Sequence, residues 1–391
     1  MIDKVSVEQC TLCGSCVNAC PVGAISFKKE YLDFCYPEID ASRCVNCNLC
    51  EKSCPACQPQ KKLSSTEPKA FAGKNPDVSV RKRSTSGGIF YALAQSILKQ
   101  GGYVCGAVMD EAFHVSHQVS DAPETVEKML GSKYVQSRTD QVFVEVKKLL
   151  DENKPVLFSG CPCQIAGIKA FLNKEYDNLF LAEVVCHGIP SQKMLNAYLS
   201  VQEKRTGAKA KSIAFRAKDL GWHSSAAKVE FENGKTYLEP ITVDAYMYGF
   251  LGGITLKQSC YNCNFKNYQS GCDLILGDFW GAEAEMPELD DNTGLSAIVA
   301  VTQKGVTLLQ ESGIELHEVG LPTIVKYNKN IVQPTAVNPL RTEFYRYAEE
   351  AGYEKAIEKH FWESKIVRFK RITRLRIRRV KHLITGKKTL Y

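Results

Sequence analysis

Residues 10–21 have the sequence C-T-L-C-G-S-C-V-N-A-C-P, and residues 44–55 have the sequence C-V-N-C-N-L-C-E-K-S-C-P. Both stretches follow the spacing C-x2-C-x2-C-x3-C-P, which is the bacterial ligand pattern for [4Fe-4S] clusters. The two-residue gaps let a tight loop wrap three thiolates around one face of a cluster, and the fourth cysteine of each run ligates the other cluster. We therefore expect one cluster on Cys10, Cys13, Cys16 and Cys54, and a second on Cys44, Cys47, Cys50 and Cys20.

Other uses of closely spaced cysteines fit this pattern less well. Pairs of the form C-x2-C also make zinc sites, but two complete runs that each end in Cys-Pro favour iron–sulfur ligation. A disulfide scaffold is disfavoured because nothing in the sequence indicates secretion. Residues 1–57 thus resemble a two-cluster ferredoxin module, which indicates an electron carrier or a protein that uses carried electrons. Cys35 and Cys57 fall outside the ligand pattern.

Length and composition predict a folded protein of several domains. The 391 residues are enough for two or three domains, and a hydrophobic content of 44% is ordinary for a globular chain. The N-terminus lacks an apolar signal core, and no apolar run is long enough to span a bilayer. Since thiolate ligands require reduced cysteines, we expect a cytoplasmic location.

The positive charge is concentrated at the C-terminus. Residues 365–391 contain eleven Lys or Arg and no Asp or Glu, so residues 1–364 carry −4 of the total +7. Apolar residues alternate with arginines in the tail, 361–391, as in a basic amphipathic helix. The interpretation is attachment to an anionic membrane surface at the inner face of the membrane, or to an acidic partner; the alternative is a solvated tail. No nucleic acid is expected, because no binding motif accompanies the charge.

The rest of the chain alternates strand and helix patterns. A polar, proline-bearing linker is expected at 58–70, followed by an α/β N-terminal part at 71–205 and an α/β C-terminal part at 206–360. The predicted fold class is α/β, and α+β overall: a small two-cluster ferredoxin-like module followed by a mixed α/β body. Two predicted strands end at cysteines, Cys161 and Cys163 after the first and Cys186 after the second, where ligands bind in such sheets.

Several blocks together resemble the family of coenzyme F420 hydrogenase/dehydrogenase beta subunits. The likeness extends over roughly residues 70–340, and a fused ferredoxin module is a common arrangement in that family. The resemblance implies a mixed α/β flavoprotein body with bound FAD and a further [4Fe-4S] cluster beside it. The blocks are 84–88, 131–137, 159–167, 186–191, 260–263 and 273–281.

The resemblance also implies ligands for the third cluster. Two strand-end loops and one C-x2-C pair agree with it, since they supply four thiolates to one region of the fold. Cys161 stands where the family usually has threonine, and Cys272 stands where it usually has a small residue, so either is an alternative ligand. The expected ligands are Cys163, Cys186, Cys260 and Cys263.

For the flavin, the glycines and hydroxyls before a predicted helix are the expected phosphate contacts, because a helix N-terminus attracts anions. Lys133 is expected to neutralise the pyrophosphate or to stand near flavin N1, and His187 to relay a proton or to hydrogen-bond a cluster sulfur. Asp278 is expected to close the site or to cap a helix. The cofactor-binding prediction comprises Ser84, Thr85, Ser86, Gly87, Gly88, Ser132, Lys133, Tyr134, Gln136 and Asp278, with Lys133 and His187 as catalytic residues.

The predicted function is an iron–sulfur flavoprotein oxidoreductase. It passes electrons between a one-electron redox partner protein and a small-molecule hydride substrate through [4Fe-4S] clusters and FAD. The alternative is an electron-transfer subunit of a larger redox complex, with substrate chemistry on a partner chain. No G-x-G-x-x-G follows a strand, so a Rossmann nicotinamide site is not supported.

Overall fold

The computed structural model describes residues 2–58 and 67–362 of the chain. The N-terminal module consists of α1 (Ser15–Ala19), α2 (Leu49–Lys52) and the antiparallel hairpin of β1 (Ile25–Tyr31) with β2 (Phe34–Ile39). Each short helix follows one cysteine loop, and a 3-10 turn covers Ile2–Lys4.

The body is built on strands that are short and, at the centre, buried on both faces. In chain order its strands are β3 (Lys69–Lys74), β4 (Tyr103–Met109), β5 (Val115–Ser120), β6 (Val156–Gly160), β7 (Leu179–Val184), β8 (Ala210–Ala217), β9 (Ala226–Phe231), β10 (Thr236–Pro240), β11 (Leu274–Asp278), β12 (Ser296–Ala300) and β13 (Glu315–Val319). The continuous apolar runs of β6 and β12 are those expected of strands that are covered on both sides.

Helices cover both faces of the large sheet and extend beyond it. They are α3 (Val78–Arg83), α4 (Ile89–Lys99), α5 (Pro123–Met129), α6 (Val142–Asp151), α7 (Pro162–Leu172), α8 (Gln192–Thr206), α9 (Ala245–Leu251), α10 (Ala282–Glu285), α11 (Gln303–Glu311), α12 (Leu321–Tyr327), α13 (Leu340–Ala351) and α14 (Tyr353–His360). Within the described ranges, no helix has the length and apolar character needed to cross a membrane.

Eight strands form one mixed sheet in the order β13-β3-β12-β11-β7-β6-β4-β5. The four central strands, β11, β7, β6 and β4, are parallel, and the flanking strands are antiparallel. The carboxyl ends of the parallel strands therefore meet at one edge, which is where such sheets bind ligands. The mixed α/β fold class is confirmed, and a turn at Asn233-Gly234 joins β9 to β10.

The large sheet changes how the body divides. β3 begins at Lys69, inside the segment assigned to the linker, and pairs with β12 and β13. The sheet also takes strands from both sides of the boundary expected at residue 205. A separate antiparallel sheet, β10-β9-β8, packs with α8, α9, α13 and α14 around a second core. The division that the structure supports is therefore between these two cores.

The start of the basic C-terminal segment packs on this second core. Phe361 is buried and stacks on Phe344 with ring centroids 4.5 Å apart, and Arg205 lies over the Trp362 ring at 3.8 Å. The remainder of the tail, for which membrane attachment was predicted, lies outside the described residues.

The N-terminal module is docked on the body through buried polar contacts. Asp33, at the tip of the module hairpin, accepts hydrogen bonds from Ser191 Oγ at 2.6 Å and from Tyr345 Oη at 3.0 Å. Burial raises the pKa of this carboxyl, while the two donors act in the opposite direction. On the cysteine side, Thr139 Oγ1 donates to Cys13 O at 2.8 Å. These contacts fix the first cysteine loop against the edge of the large sheet.

Candidate iron–sulfur and flavin site

The two cysteine loops of the module repeat one backbone geometry. Leu12 and Asn46 precede the second cysteine of each run with φ of 56° and 54°, and Gly14 and Asn48 follow it with φ of 81° and 59°. Left-handed residues within a loop turn successive N–H groups towards a common centre, a geometry that favours anions such as a thiolate-bound cluster. The backbone of both loops therefore fits the cluster role that the cysteine spacing predicts.

The module thiols fall into two groups. Cys10, Cys13, Cys16 and Cys54, called here the first module set, interact with one another electrostatically. Burial raises the pKa of the Cys10 thiol to about 11, so a bound metal is needed to keep it a thiolate. In the second module set, Cys20, Cys44, Cys47 and Cys50, the thiol of Cys47 is exposed, whereas Cys50 is buried and also interacts with Cys16. The assignment of four ligands to each cluster therefore stays the prediction made from the cysteine spacing.

A further group of thiols, called here the inner set, collects at the carboxyl edge of the large sheet. Cys161 and Cys163 begin α7 directly after β6, and Cys186 follows β7. Cys260 and Cys263 come from a 3-10 turn, Gln258–Asn262, and the residue after it. Electrostatic interactions link Cys163 to Cys186 and Cys263, and link Cys260 to Cys186. The structure thus brings together the four predicted ligands from three separate loops.

The two alternative ligands lie in different places. Cys161 belongs to the inner set, because its side chain hydrogen-bonds to Cys186. That bond holds the pKa of Cys186 below its ordinary value, with help from Lys266 and Lys257. Cys272 is buried in the core of the body, where its thiol interacts with Glu183 and Ser270. The geometry therefore keeps Cys161 as an alternative ligand and places Cys272 outside the thiol group.

The spacing of the thiols does not suit a single zinc ion. A tetrahedral site with Zn–S bonds of about 2.3 Å holds its sulfurs ~3.8 Å apart. We compared the distances among His nitrogens, Cys sulfurs and carboxylate oxygens in the described residues. One group of three such atoms lies within 4.8 Å of one another there, and it belongs to His223, Glu283 and Asp290 and contains no cysteine. Cubane ligands stand farther apart because each thiolate binds a different iron.

Two buried lysines lie among the inner thiols. Lys257 is 1% exposed and donates from Nζ to Thr11 O of the module and to Gln136 Oε1 at 2.8 Å. Burial opposes its charge. Its pKa nevertheless lies above the ordinary lysine value because the surrounding thiols raise it, and Cys260 and Cys163 have the largest effects. Lys266 Nζ donates to Cys186 O. Neither residue was singled out from the sequence, where each is an isolated lysine near a C-x2-C pair.

The first module set and the inner set are close neighbours. Gly167 of α7 faces Cys13, and a Cβ at Gly167 would lie 3.0 Å from Cys13 Cβ and 3.1 Å from its Sγ. Cys13 also contributes electrostatically at Cys163. Since a Cβ here would press on Cys13, glycine at position 167 favours the close contact between α7 and the module loop.

A cavity of about 400 Å³ opens at the same edge of the sheet. Three inner-set thiols line it, those of Cys161, Cys163 and Cys186. Its volume lies in the range of small-molecule sites, of roughly 300–1,000 Å³. Nine of the ten predicted cofactor-binding residues also line it: Ser84, Thr85, Ser86, Gly88, Ser132, Lys133, Tyr134, Gln136 and Asp278.

Gly87 is the exception and corrects the prediction for that position. Its amide donates to Ser296 Oγ at 2.9 Å, so it is not available to a phosphate. A Cβ at Gly87 would lie 2.6 Å from Gly73 O, which shows that glycine is required for packing against β3 and β12. By contrast, the Ser84 hydroxyl is buried with no partner among the described residues and lines the cavity, as expected of a group that awaits a ligand.

The side chains of the 132–136 segment are partly engaged by protein. Ser132 N donates to Thr85 Oγ1 at 2.8 Å, which ties this loop to the start of α4. Lys133 Nζ donates to Lys128 O and Leu130 O, and burial lowers its pKa to about 7. Tyr134 stacks on Phe250 at 4.6 Å. The loop therefore forms an ordered wall of the cavity.

Asp278 at the end of β11 is held by two donors. Arg216 Nη1 donates to Asp278 Oδ2 at 2.9 Å, and Trp222 Nε1 donates to Asp278 Oδ1 at 2.8 Å. Gly281, not Asp278, precedes α10, so the helix-cap interpretation is wrong. Arg216 also lies over the Trp280 ring at 5.0 Å. This buried ion pair makes a rigid cationic and aromatic wall that sequence patterns did not reveal.

Two histidines line the cavity. His187 Nδ1 lies 3.4 Å from Asn330 Oδ1, and its buried Nε2 has no partner among the described residues. His117, which was not predicted, is held by Ser159 O at 3.0 Å and Ser137 Oγ at 2.8 Å. Burial lowers the pKa of His117 to about 4. His117 is therefore neutral and fixed, while His187 has a free ring nitrogen for a ligand.

The cysteine sets and the mixed sheet define an iron–sulfur protein in which a ferredoxin-type module is fused to an α/β body. Residues 9–57 match the 4Fe-4S dicluster domain, and residues 153–319 match the C terminus of the coenzyme F420 hydrogenase/dehydrogenase beta subunit. The chain thus combines a dicluster domain with a domain of the coenzyme F420 hydrogenase/dehydrogenase beta subunits, which confirms the resemblance predicted from its motifs. The blocks at 84–88 and 131–137 lie outside the matched residues.

Individual relatives agree with these two matches. The chain is 25% identical over 173 residues to a subunit of the F(420)H(2) dehydrogenase of Methanosarcina mazei, covering 41% of this chain and 48% of that protein. It therefore spans about half the length of this curated relative. It is 38% identical over 58 residues to a ferredoxin-like protein in the nif region of Rhizobium leguminosarum bv. trifolii, covering 15% of this chain and 81% of that protein.

One solved structure is also similar in outline. It is a chain of the F420-reducing [NiFe] hydrogenase complex from Methanosarcina barkeri, with 16% identity and a TM-score of 0.44. The superposition covers 76% of this chain and 94% of that chain.

Proposed function

We propose that the chain is an iron–sulfur flavoprotein oxidoreductase that exchanges electrons between a ferredoxin-type protein and a small molecule that accepts or donates hydride. Each hydride balances two single electrons and one proton, in either direction. The clusters assigned here are two cubanes on the module sets and a third on four thiols of the inner set. FAD, when bound, couples one-electron exchange to two-electron hydride exchange.

The observation that carries this proposal is the position of the inner set. Its thiols Cys161, Cys163 and Cys186 share a cavity with the N-terminus of α4, and they adjoin Cys13 of the module. A ligand in this cavity would therefore meet cluster thiols on one side and an anion-binding helix end on the other. The unpartnered Ser84 hydroxyl and His187 Nε2 support a polar ligand there, because buried polar atoms ordinarily have partners.

The residues of the cavity divide into binding and proton-handling groups. The N-terminus of α4 and the Ser84 hydroxyl are assigned to a diphosphate, since they supply donors. Lys133 lines the same cavity, where a bound anion would favour the charged form that burial disfavours. Phe250 and Tyr134 offer a stacked aromatic face, on which a flat ring system packs well. His187, with its free Nε2, is assigned to a proton at the substrate end.

A second function is favoured by the surface of the module. Val45 and Leu49, beside the second module set, are exposed, and apolar side chains around an exposed ligand loop suit a docked protein. The Methanosarcina mazei relative is by name a subunit. The chain would then act as an electron-transfer subunit, with the substrate on another polypeptide. Cytoplasmic location and membrane attachment through the basic tail remain predictions.

Anaerobic mixing with a reduced ferredoxin-type donor tests the first proposal. The iron–sulfur absorbance is expected to bleach, with one donor molecule oxidised per cluster, and the flavin absorbance should follow, with two more donor molecules oxidised per flavin. A hydride acceptor should then reoxidise the flavin. Flavin that stays oxidised while the clusters are fully reduced would contradict the proposal. Reduction of all centres with turnover only in a complex isolated from the native cell would favour the second function instead.

A further inference from the structure

The ammonium group of Lys257 is buried between two cysteine sets, and the titratable groups that act on its charge most strongly are thiols. A buried charge costs several kcal/mol unless nearby groups compensate it. Two neutral oxygens, Thr11 O and Gln136 Oε1, accept its hydrogen bonds. The compensating negative charge must therefore come from the thiols around it.

Lys257 lies next to both sets. On the side of the first module set, its Nζ donates to Thr11 O, and Thr11 lies between Cys10 and Cys13 in the chain. On the side of the inner set, it lines the same cavity as Cys161, Cys163 and Cys186, and its backbone oxygen accepts a hydrogen bond from Cys260 N at 3.0 Å. One cation therefore serves two neighbouring groups of ligands, from a position that water does not screen.

Lys266 provides a natural comparison. It is also buried, and its Nζ donates to Cys186 O. This contact places the Lys266 ammonium beside Cys186, which belongs to the inner set. The chain therefore contains one lysine placed between the two sets and one placed on the far side of the inner set.

We propose that Lys257 is the shared counter-ion of the first module cubane and the inner cluster, and that its fixed charge raises the reduction potential of both. This inference rests on the proposed function, because it requires an inner cluster. The physical reason is that reduction adds an electron to a cluster with anionic ligands. A buried cation stabilises the reduced state more than the oxidised state, and the effect is strong at low dielectric constant. Lys257 is thus a positioning residue for charge on the electron path, and it does not touch substrate.

Redox titration of the anaerobic full-length protein, followed by electron paramagnetic resonance, tests the proposal. In Lys257→Met, the reduction equilibrium of the first module cubane and of the inner cluster should each fall at least tenfold, which is about 59 mV for one electron. The cubane on the second module set should keep its potential. Lys266→Met should change the inner cluster alone, and Lys257→Arg should restore both potentials.

Lys257 could also act structurally, through its hydrogen bond to Thr11 O. The variant Lys257→Gln distinguishes this structural role from the effect of the charge. Glutamine keeps an N–H donor without the cation, so a shift like that of Lys257→Met supports the proposal. Unchanged potentials in both neutral variants would overturn it, as would equal shifts in all three clusters. If the neutral variants lose inner iron, retention in Lys257→Arg supports a need for charge, and loss in Lys257→Arg as well overturns it.

The proposed function fails separately from this inference. Wild-type protein with about eight iron atoms would have no inner cluster, so the proposed function would be wrong. The potential of the first module cubane would still report whether Lys257 acts on it as a counter-ion.

Discussion

The module cysteines and the inner cysteines bind clusters in the same proposed way but are assembled differently. Each module run supplies three ligands from one short loop, and the exposed Cys47 and Val45 show that one loop reaches the surface. The inner set comes from three loops that are well separated in the chain, and its cysteines lie half-buried at the edge of the large sheet. The comparison teaches that the outer ligands depend on local sequence, whereas the inner ligands depend on the tertiary fold.

The largest expected effect comes from removing an inner ligand. Cys163→Ser should lower the iron content from about twelve to about eight atoms per chain, because one cubane is lost while both module cubanes remain. Cys272→Ser is the matched control, since that thiol is buried beside Glu183 and Ser270 and should leave the iron content unchanged. Iron and sulfide analysis measures both. Equal iron loss in the two variants would place Cys272 among the ligands.

The iron content of a Cys161 variant shows whether Cys161 is one of the four ligands in the inner set. Cys161→Ser should keep all iron if Cys163, Cys186, Cys260 and Cys263 are the ligands, as the family resemblance implies. Loss of about four iron atoms would make Cys161 a ligand in place of one of them.

The repeated loop geometry gives a matched pair of backbone variants. Gly14 and Asn48 occupy equivalent left-handed positions, but a Cβ at Gly14 would overlap Thr139 Oγ1 of the body, whereas Asn48 is exposed. Gly14→Ala should cost about 2–4 kcal/mol through overlap and strain, and Asn48→Ala about 1 kcal/mol through strain alone. Heating curves of cluster absorbance compare them. Equal destabilisation would mean that docking on Thr139 does not distinguish the two loops.

The buried ring of His117 is expected to make the stability of the protein depend on pH. Burial lowers its pKa to about 4 from an ordinary 6.5, so the unfolded chain binds more protons between these values. The contribution of neutral His117 to the free energy of unfolding is complete above pH 6.5. Up to about 3 kcal/mol of it is lost as pH falls towards 4.

A variant and a control isolate this contribution. His117→Asn should be less stable at pH 7 but show a shallower loss of stability between pH 6.5 and pH 4.5, as measured by urea unfolding. His114→Asn is the control for the substitution itself, because His114 lies on the surface. A His117→Asn profile parallel to that of the wild type would contradict the assignment of the acid sensitivity to this ring.

The smallest expected effect concerns the exposed loop. Val45→Glu should slow electron exchange with a one-electron donor roughly threefold, because a charge in the contact area disturbs docking. Val337→Glu is the control, since Val45 and Val337 are similarly exposed, at 60% and 57%. Stopped-flow reduction measures both, with iron content unchanged. Equal rates in the two variants would show that the donor does not dock beside the second module set.

The same difference in assembly explains which features the sequence predicted. The module sets follow from spacing alone, because a short loop brings its own thiols together. The helix at 89–99 and the strands before Cys161 and Cys186 were also predictable, since apolar runs with flanking turn residues reflect local preferences. These elements are decided within a few turns of the chain.

Other features depend on partners far away in the chain. The sequence of β3, K-A-F-A-G-K, lacks a clear strand pattern, and it becomes a strand because it pairs with β12 and β13 more than 200 residues later. Gly87 has the composition of a phosphate loop, but Ser296 takes its amide. Lys257 is unremarkable in sequence and becomes important only where the module meets the inner set.

The most direct test of the account is the metal and flavin content of one anaerobically purified sample. Iron, acid-labile sulfide and released FAD should be measured together with a dithionite-titrated spectrum. Three cubanes and one flavin require about twelve iron, about twelve sulfide and about one FAD per chain. About eight iron with no flavin would contradict it and would leave a two-cluster ferredoxin module joined to a body of different function.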